Sequence, residues 1–197
     1  MPGRKPEEAA RTRGALEDAA RELFETRGFV SASAEEIVAA AGVTRGALYH
    51  HYAGKEGVFE VVAEAAMKRL HDNIVRAAGN ATDPVQGLKL GARRFLELSS
   101  APRIQRLLFI DAPVVLGWQR WRELDTRYGL GLLLRAIEAA VAQRRMRVAS
   151  PEMLAHLLLS AMIESSMLIA NSPRKSSARA EAEELIERLI DAFCLVA

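Results

Sequence analysis

Residues 31–56 read SASAEEIVAAAGVTRGALYHHYAGKE, and the fold is decided between Ser33 and Lys55. Ser33, with Glu36 three residues on, forms a capping box and opens a helix. Ile37, Ala40 and Ala41 give that helix a short apolar face, and Gly42 stands where a helix ends on a left-handed residue. Val43 is the apolar residue of the turn. Thr44 can cap a second helix over about Arg45 to His51, with Ala47, Leu48 and Tyr52 inward at helical spacing. Two helices joined by so tight a turn make a helix-turn-helix, whose second helix fits the DNA major groove. An ordinary pair of packed core helices would share the Gly-centred pattern. The tail Leu48-Tyr49-His50-His51-Tyr52 argues against it, because two phenols and two imidazoles stand where a structural helix carries Leu, Lys or Glu. Such groups can donate to phosphate oxygens, and Lys55 adds a charge at the next helix start, where the dipole attracts anions.

Over residues 41–59, AGVTRGALYHHYAGKEGVF, the chain resembles the TetR family of transcriptional regulators, whose pattern is A-G-V-S/T-x-G-x-L-Y-x-H/Y-F/Y-x-x-K-E-x-L/V. The likeness covers roughly residues 8 to 65; beyond it the family shares an all-helical architecture more than a sequence. The resemblance implies an all-α protein with a helix-turn-helix DNA-binding domain in 1–55 and an effector-binding and dimerisation domain in 56–197. It implies a homodimeric repressor, released from a palindromic double-stranded operator by a small, mainly apolar effector. Tyr49, His50, Tyr52 and Lys55 would hold phosphates, and Ser33 and Thr44 would make helix-end contacts. Arg45 and Gly46 would lie at the exposed start of the recognition helix, with Arg45 reading a base. Two positions depart from the family: Val38 replaces a common Ala, and Ala47 replaces a frequent Ser or Thr, removing a hydroxyl that could reach DNA.

A chain of 197 residues, half apolar and a quarter charged, has the composition of an ordinary globular protein with a real core. Residues 1–56 hold 8 Lys and Arg against 9 Asp and Glu, so charge supports DNA binding by placement and not by sum. Arg4, Lys5, Arg11 and Arg13 cluster at the front, either as an arm along phosphates or as a solvated terminus. The single Cys194 excludes an internal disulfide and fits a reducing cytoplasm; its apolar surroundings suggest a buried small hydrophobe. The charged first fifteen residues lead to the expectation of no signal peptide, and no apolar run of the ~20 residues that cross a bilayer is expected either.

Capping signals and apolar spacing predict a first helix over Pro6–Arg27, with Phe29-Val30 tucking back behind Gly28. A long helix follows over Lys55–Ala78, which the family uses as a lever between ligand and DNA, and another runs over Pro84–Ser99 behind Asp83. A short helix over Arg103–Ile110 and a bend over Asp111–Gly117, with Asp111 as a cap, come next. A longer helix starts near Gly117 and ends among Arg144, Arg145 and Arg147. Ser150 caps a helix reaching about Ala170, 171–177 is a loop, and Ala178–Leu195 is the last helix. Nothing alternates with period two, so no sheet is expected.

No Gly-rich phosphate loop, Gly-x-Ser-x-Gly motif or metal-spaced Cys/His set occurs, so no enzyme, metal or cofactor is expected. A ligand pocket is expected instead. Trp118, Trp121, Asp125, Tyr128 and Leu132 recur at spacings of three and four, placing Asp125 within an aromatic stripe. Its carboxylate either pairs with a neighbour such as Arg122 or anchors a ligand among apolar walls. Phe95, Phe109 and Glu164 complete the candidate ligand set. The last two helices are apolar on two sides, with Leu154, Leu157 and Leu158 grouped on one, and suit a four-helix bundle across a two-fold axis. A helical protein–protein module with a vestigial helix-turn-helix is the alternative.

Overall fold

The computed structural model describes residues 4–195; the side chains of Arg4 and Lys5, half of the expected basic arm, lie outside the described residues. Helices form all the regular structure among them, and Met146 and Cys194 make an isolated β-bridge. The helices are α1 (Arg4–Arg27), α2 (Ala34–Ala41), α3 (Arg45–Tyr52), α4 (Lys55–Ala78) and α5 (Pro84–Ser99). There follow α6 (Pro102–Ile104), a wide π-helical stretch Gln105–Asp111, α7 (Ala112–Val115), α8 (Gly117–Asp125) and a second wide stretch, Thr126–Leu130. The chain ends with α9 (Gly131–Ala142), α10 (Pro151–Asn171) and α11 (Lys175–Asp191).

The chain packs as two compact units, residues 1–66 with 106–121 and residues 67–105 with 122–197. This differs from the expected division after residue 55, because the first half of α4 and the 106–121 stretch pack with the helix-turn-helix. Both Arg11 and Arg13 lie on α1, so from Arg4 onward the front of the chain is helix and not a flexible arm.

In the first unit, Leu16, Ala20 and Phe24 of α1 meet Ile37, Leu48, Val58 and Phe59 in a core from which water is excluded. Phe24, Phe29 and Phe59 close it as a ring cluster, with centroids 5.1–5.8 Å apart and Phe59 edge-on to the other two. Phe29 thus turns inward as expected, but Val30 does not: it is 89% exposed. A close approach fixes the angle at which α4 leaves α3, since a Cβ on Gly57 would stand 1.7 Å from the Tyr52 carbonyl oxygen. Asp111 is no helix cap. The helix runs on through it to Val115, and its Oδ2 accepts the Phe29 N–H at 2.8 Å.

In the second unit α5 packs against α9, α10 and α11. Ser150 caps α10 by accepting the Met153 N–H at 3.2 Å, and the loop after Asn171 shrinks to three residues. Of α10, Leu154, Leu158, Leu159, Met162 and Ile169 are buried, whereas Met153, Leu157 and Leu168 are exposed. Leu157 therefore parts from Leu154 and Leu158, with which its spacing had grouped it. α11 adds exposed Leu185 and Leu189. By length and composition α10 could cross a membrane, contrary to expectation; one side of it packs against α5, α9 and α11. Cys194 is half-buried, not fully buried, and burial pushes its thiol pKa up.

Candidate nucleic-acid interface and ligand cavity

The α2–α3 turn is built as its residues dictate. Ser33 Oγ accepts the Glu36 N–H at 3.1 Å, the Ser33 N–H donates to Glu36 Oε2 at 2.9 Å, and Gly42 ends α2 at φ 64°. Arg27 Nη1 donates to Glu36 Oε1 at 2.6 Å. This bond, with the Ser33 bonds behind it, holds the Glu36 carboxyl pKa down at about 2. Thr44 Oγ1 accepts the Ala47 N–H at 3.3 Å, which leaves its hydroxyl proton for an outside acceptor.

The eight residues expected to meet DNA divide in two. Thr44, Arg45, Gly46, Tyr49 and His50 are exposed along the front of α3, with Leu48 fully buried behind them. The Arg45 guanidinium lies 5.5 Å from the Tyr49 ring centroid and pairs with Glu35 Oε1 at 2.8 Å. The remaining three are held elsewhere. Ser33 Oγ also donates to Glu36 Oε2 at 3.0 Å, so both its functions are used within the cap. Tyr52 OH donates to Glu17 Oε1 at 2.6 Å, fastening α3 to α1. Burial, and then this bond, push the phenol pKa well above its usual value. Lys55 Nζ donates to the carbonyl oxygens of Phe29 and Ala32, each at 2.9 Å, and lies 3.9 Å from the Phe29 ring centroid. Two of its three donors close the α1–α2 turn. These inward partners, Glu17 and the Phe29 and Ala32 carbonyls, are remote in sequence and carry no local signal.

The expected ligand residues are divided between the units, Phe109, Trp118 and Trp121 in the first and Phe95, Asp125, Tyr128 and Glu164 in the second. Trp118 is 65% exposed, whereas Trp121 is buried with Nε1 donating to the Leu108 carbonyl at 3.1 Å; both belong to the first unit. Asp125 is buried, and its Oδ2 accepts from Arg122 Nη1 at 3.1 Å. Burial pushes the Asp125 pKa up and Arg122 opposes it, so the neighbouring ion pair is the alternative the structure takes. Tyr128 is half-buried with its carbonyl 2.8 Å from His71 Nδ1, Phe109 is half-buried on the first wide stretch, and Glu164 is exposed. Trp118 and Trp121 already part within α8, one exposed and the other buried, and beyond Asp125 the stretch Thr126–Leu130 winds wider than an α-helix, so the spacing of three and four no longer marks one face there.

A cavity of about 480 Å³ lies instead within the second unit. Its walls are Ile74 and Ala78 of α4, Leu88, Gly91, Ala92 and Phe95 of α5, Leu132, Leu133 and Ala136 of α9, and Leu159 and Met162 of α10. Of the expected ligand set, Phe95 lines it, and so does Leu132 at the end of the expected stripe; Phe109, Trp118, Trp121, Asp125, Tyr128 and Glu164 do not. Small residues make the space, and small residues give a sequence reader no stripe to follow. Gly79, Thr82, Ala139 and Gln143 are exposed and mark the mouth; Leu88, Gly91, Ala92, Phe95, Leu159 and Met162 are buried and mark the floor. Among the described residues Asp83 is the one ionisable group in the cavity lining. Its Oδ1 accepts the Val85 and Gln86 N–H groups at 2.9 and 3.0 Å, and these helix-capping bonds, the Gln86 one first, lower its pKa.

A tight helical pair with an arginine, a phenol and an imidazole on its outer face, in a helical chain that also encloses an apolar cavity, defines a helix-turn-helix protein of two functional parts. Residues 16–62 match the bacterial regulatory proteins of the tetR family, and residues 85–193 match the tetracyclin repressor-like C-terminal domain. The chain belongs to the TetR family. It is 28% identical to a TetR-family transcriptional regulator from Pectobacterium atrosepticum, with TM-score 0.79 over 98% of this chain and 99% of that one. The transcriptional regulator TtgR of Pseudomonas putida is 33% identical over 110 residues, 54% of this chain and 52% of TtgR. The chain thus spans about half the length of the curated relatives it matches. SmeT, solved as a complex with triclosan, shares the fold at 22% identity, with TM-score 0.70 over 93% of this chain and 92% of SmeT.

Proposed function

We propose that this chain is a homodimeric transcriptional repressor of the bacterial cytoplasm, which leaves its operator when a small apolar effector fills the cavity of the second unit. The observation that carries the reading is the outer face of α3. Arg45, Tyr49 and His50 are exposed together on a helix whose opposite side is locked by Leu48 and Tyr52. Arg45 reads a base edge once it leaves Glu35, and Tyr49, His50 and Thr44 donate to phosphates. Met153, Leu157, Leu168, Leu185 and Leu189 are exposed apolar side chains on α10 and α11, and a second copy across a two-fold axis covers them. SmeT's complex with triclosan supports a small molecule as effector for this chain as well.

Selection of bound sequences from a random duplex pool, at physiological salt, tests the reading. A two-fold symmetric consensus is expected. No enrichment, together with binding that does not weaken as salt rises, would point to an interaction module with a vestigial helix-turn-helix. Leu157→Glu with Leu185→Glu is expected to give monomers by sedimentation and to lose operator binding. Effector and operator affinities must oppose each other by the same factor, so equal effector affinity for free and operator-bound protein would rule out release by effector.

A further inference from the structure

The cavity adjoins a second depression of about 390 Å³, and the two share Thr82 and Asp83. Their chemistry is opposite. The cavity floor is hydrocarbon. The adjoining groove carries Lys89, Arg145, Asp83 and Asp191, two charges of each sign. These are already matched: Lys89 Nζ lies 2.6 Å from Asp191 Oδ1, and Arg145 Nη2 lies 3.6 Å from Asp83 Oδ2.

We infer that the cavity's occupant is an amphiphile with an apolar body and an uncharged hydrogen-bonding head, seated with its head at the Thr82–Asp83 step. The inference rests on the effector reading above and specifies its ligand class. A charged head drawn onto the floor would meet no polar partner, and burial of an unpaired charge is strongly disfavoured. Placed in the groove, an anion could take a cation only by leaving Asp83 or Asp191 uncompensated beside it, and an ammonium would do the same to Lys89 or Arg145. Exchanging one partner for another gains nothing. A hydroxyl or amide needs no such exchange. The Gln143 side chain at the mouth offers both a donor and an acceptor, and Asp83 Oδ2 accepts. Only the body then needs to be dehydrated, and the apolar walls favour that.

Titration calorimetry with the whole 197-residue chain at pH 7.5, using 1-octanol, nonanoate and octylammonium, tests this. One flexible chain is common to all three, so cavity shape affects them alike and the head group alone differs. Octanol is expected to bind about tenfold or more tightly than either ion. An ion that binds as well as octanol overturns the neutral-head inference while leaving the cavity reading intact. Binding by none of the three overturns both, and leaves DNA recognition to its own selection experiment. Two variants, Ala136→Phe and Leu133→Trp, each place bulk in the cavity from α9. Either one, if its melting curve matches that of the parent, is expected to weaken octanol binding by about tenfold or more. Undiminished binding in both would place the octanol elsewhere and overturn the inference.

Discussion

Two tyrosines three residues apart in one motif serve opposite ends, and removing each hydroxyl separates them. Tyr52→Phe deletes the donor that reaches Glu17 Oε1 at 2.6 Å in a half-buried setting. A hydrogen bond to a charged group contributes about 1.5–3 kcal/mol, and the partial exposure here favours the lower end, about 1.5 kcal/mol. With a urea dependence of about 1–3 kcal/mol per molar, the midpoint falls by roughly 0.5–1.5 M. The chain supplies its own probe: both tryptophans, Trp118 and Trp121, belong to the first unit, so their emission follows the unfolding of that unit. The phenol pKa is raised on folding, so its contribution is fully present below the unfolded value and is lost as pH rises through the folded one. The gap between parent and variant is therefore expected to be flat from about pH 6 to 9 and to close only above about pH 10. Tyr49→Phe removes an exposed hydroxyl. It is expected to leave the midpoint unchanged while weakening binding to all duplexes alike, by about fivefold. A Tyr52→Phe protein with the parent's midpoint but weakened DNA binding would refute the argument and return that hydroxyl to phosphate.

Lys55→Met leaves the Phe29 and Ala32 carbonyls without their donor and is expected to cost about 2 kcal/mol. The slope of log affinity against log salt should stay the same, whereas a phosphate contact would reduce it by about 0.9. Arg45→Ala is expected to relax sequence discrimination as well as affinity, read by repeating the selection; unchanged specificity would remove its base-reading role. Glu36→Gln is expected to destabilise the first unit at neutral pH. Its depressed carboxyl pKa makes that difference shrink as pH falls from 4.5 toward about 2, read by tryptophan emission. Asp125→Asn works in the opposite direction. Burial raises the Asp125 pKa, so the charge opposes folding at neutral pH, and the variant is expected to melt higher by circular dichroism. The advantage should fade as pH falls toward about 4.

Elements bounded by strong local chemistry were legible in the sequence. Asp83-Pro84 placed the start of α5, the Ser33–Glu36 box and Gly42 framed α2, and Thr44 capped α3. Reading failed between residues 105 and 130, because periodic spacing assumes 3.6 residues per turn and this segment contains two wider stretches. Pro113 suggested a bend there, yet the backbone stays helical through it, the wide stretch Gln105–Asp111 passing directly into α7. At the candidate interface, residue type placed Tyr52 and Lys55 correctly on the motif but not their side chains. The partners that turn them inward lie 35 and 26 residues away. The cavity was hidden for another reason: Gly91, Ala92, Gly129 and Ala136 shape it by what they lack.

The helix-turn-helix unit is completed by a stretch of chain that is made late. Asp111 supplies the acceptor for the Phe29 amide, and Arg120 Nε donates to Glu60 Oε1 at 2.7 Å. When residue 66 leaves the ribosome, residues 67–121 have still to follow before that unit has all its parts. At about 5–20 residues per second the wait is roughly 3 to 11 s, time in which the nascent Phe29 amide and Glu60 carboxylate lack these partners. A message broken or a ribosome stalled in that interval would release a chain that carries every residue of the motif but lacks the segment that finishes its fold. Completion of the first unit is thereby tied to synthesis having proceeded through residues 67–105 of the second.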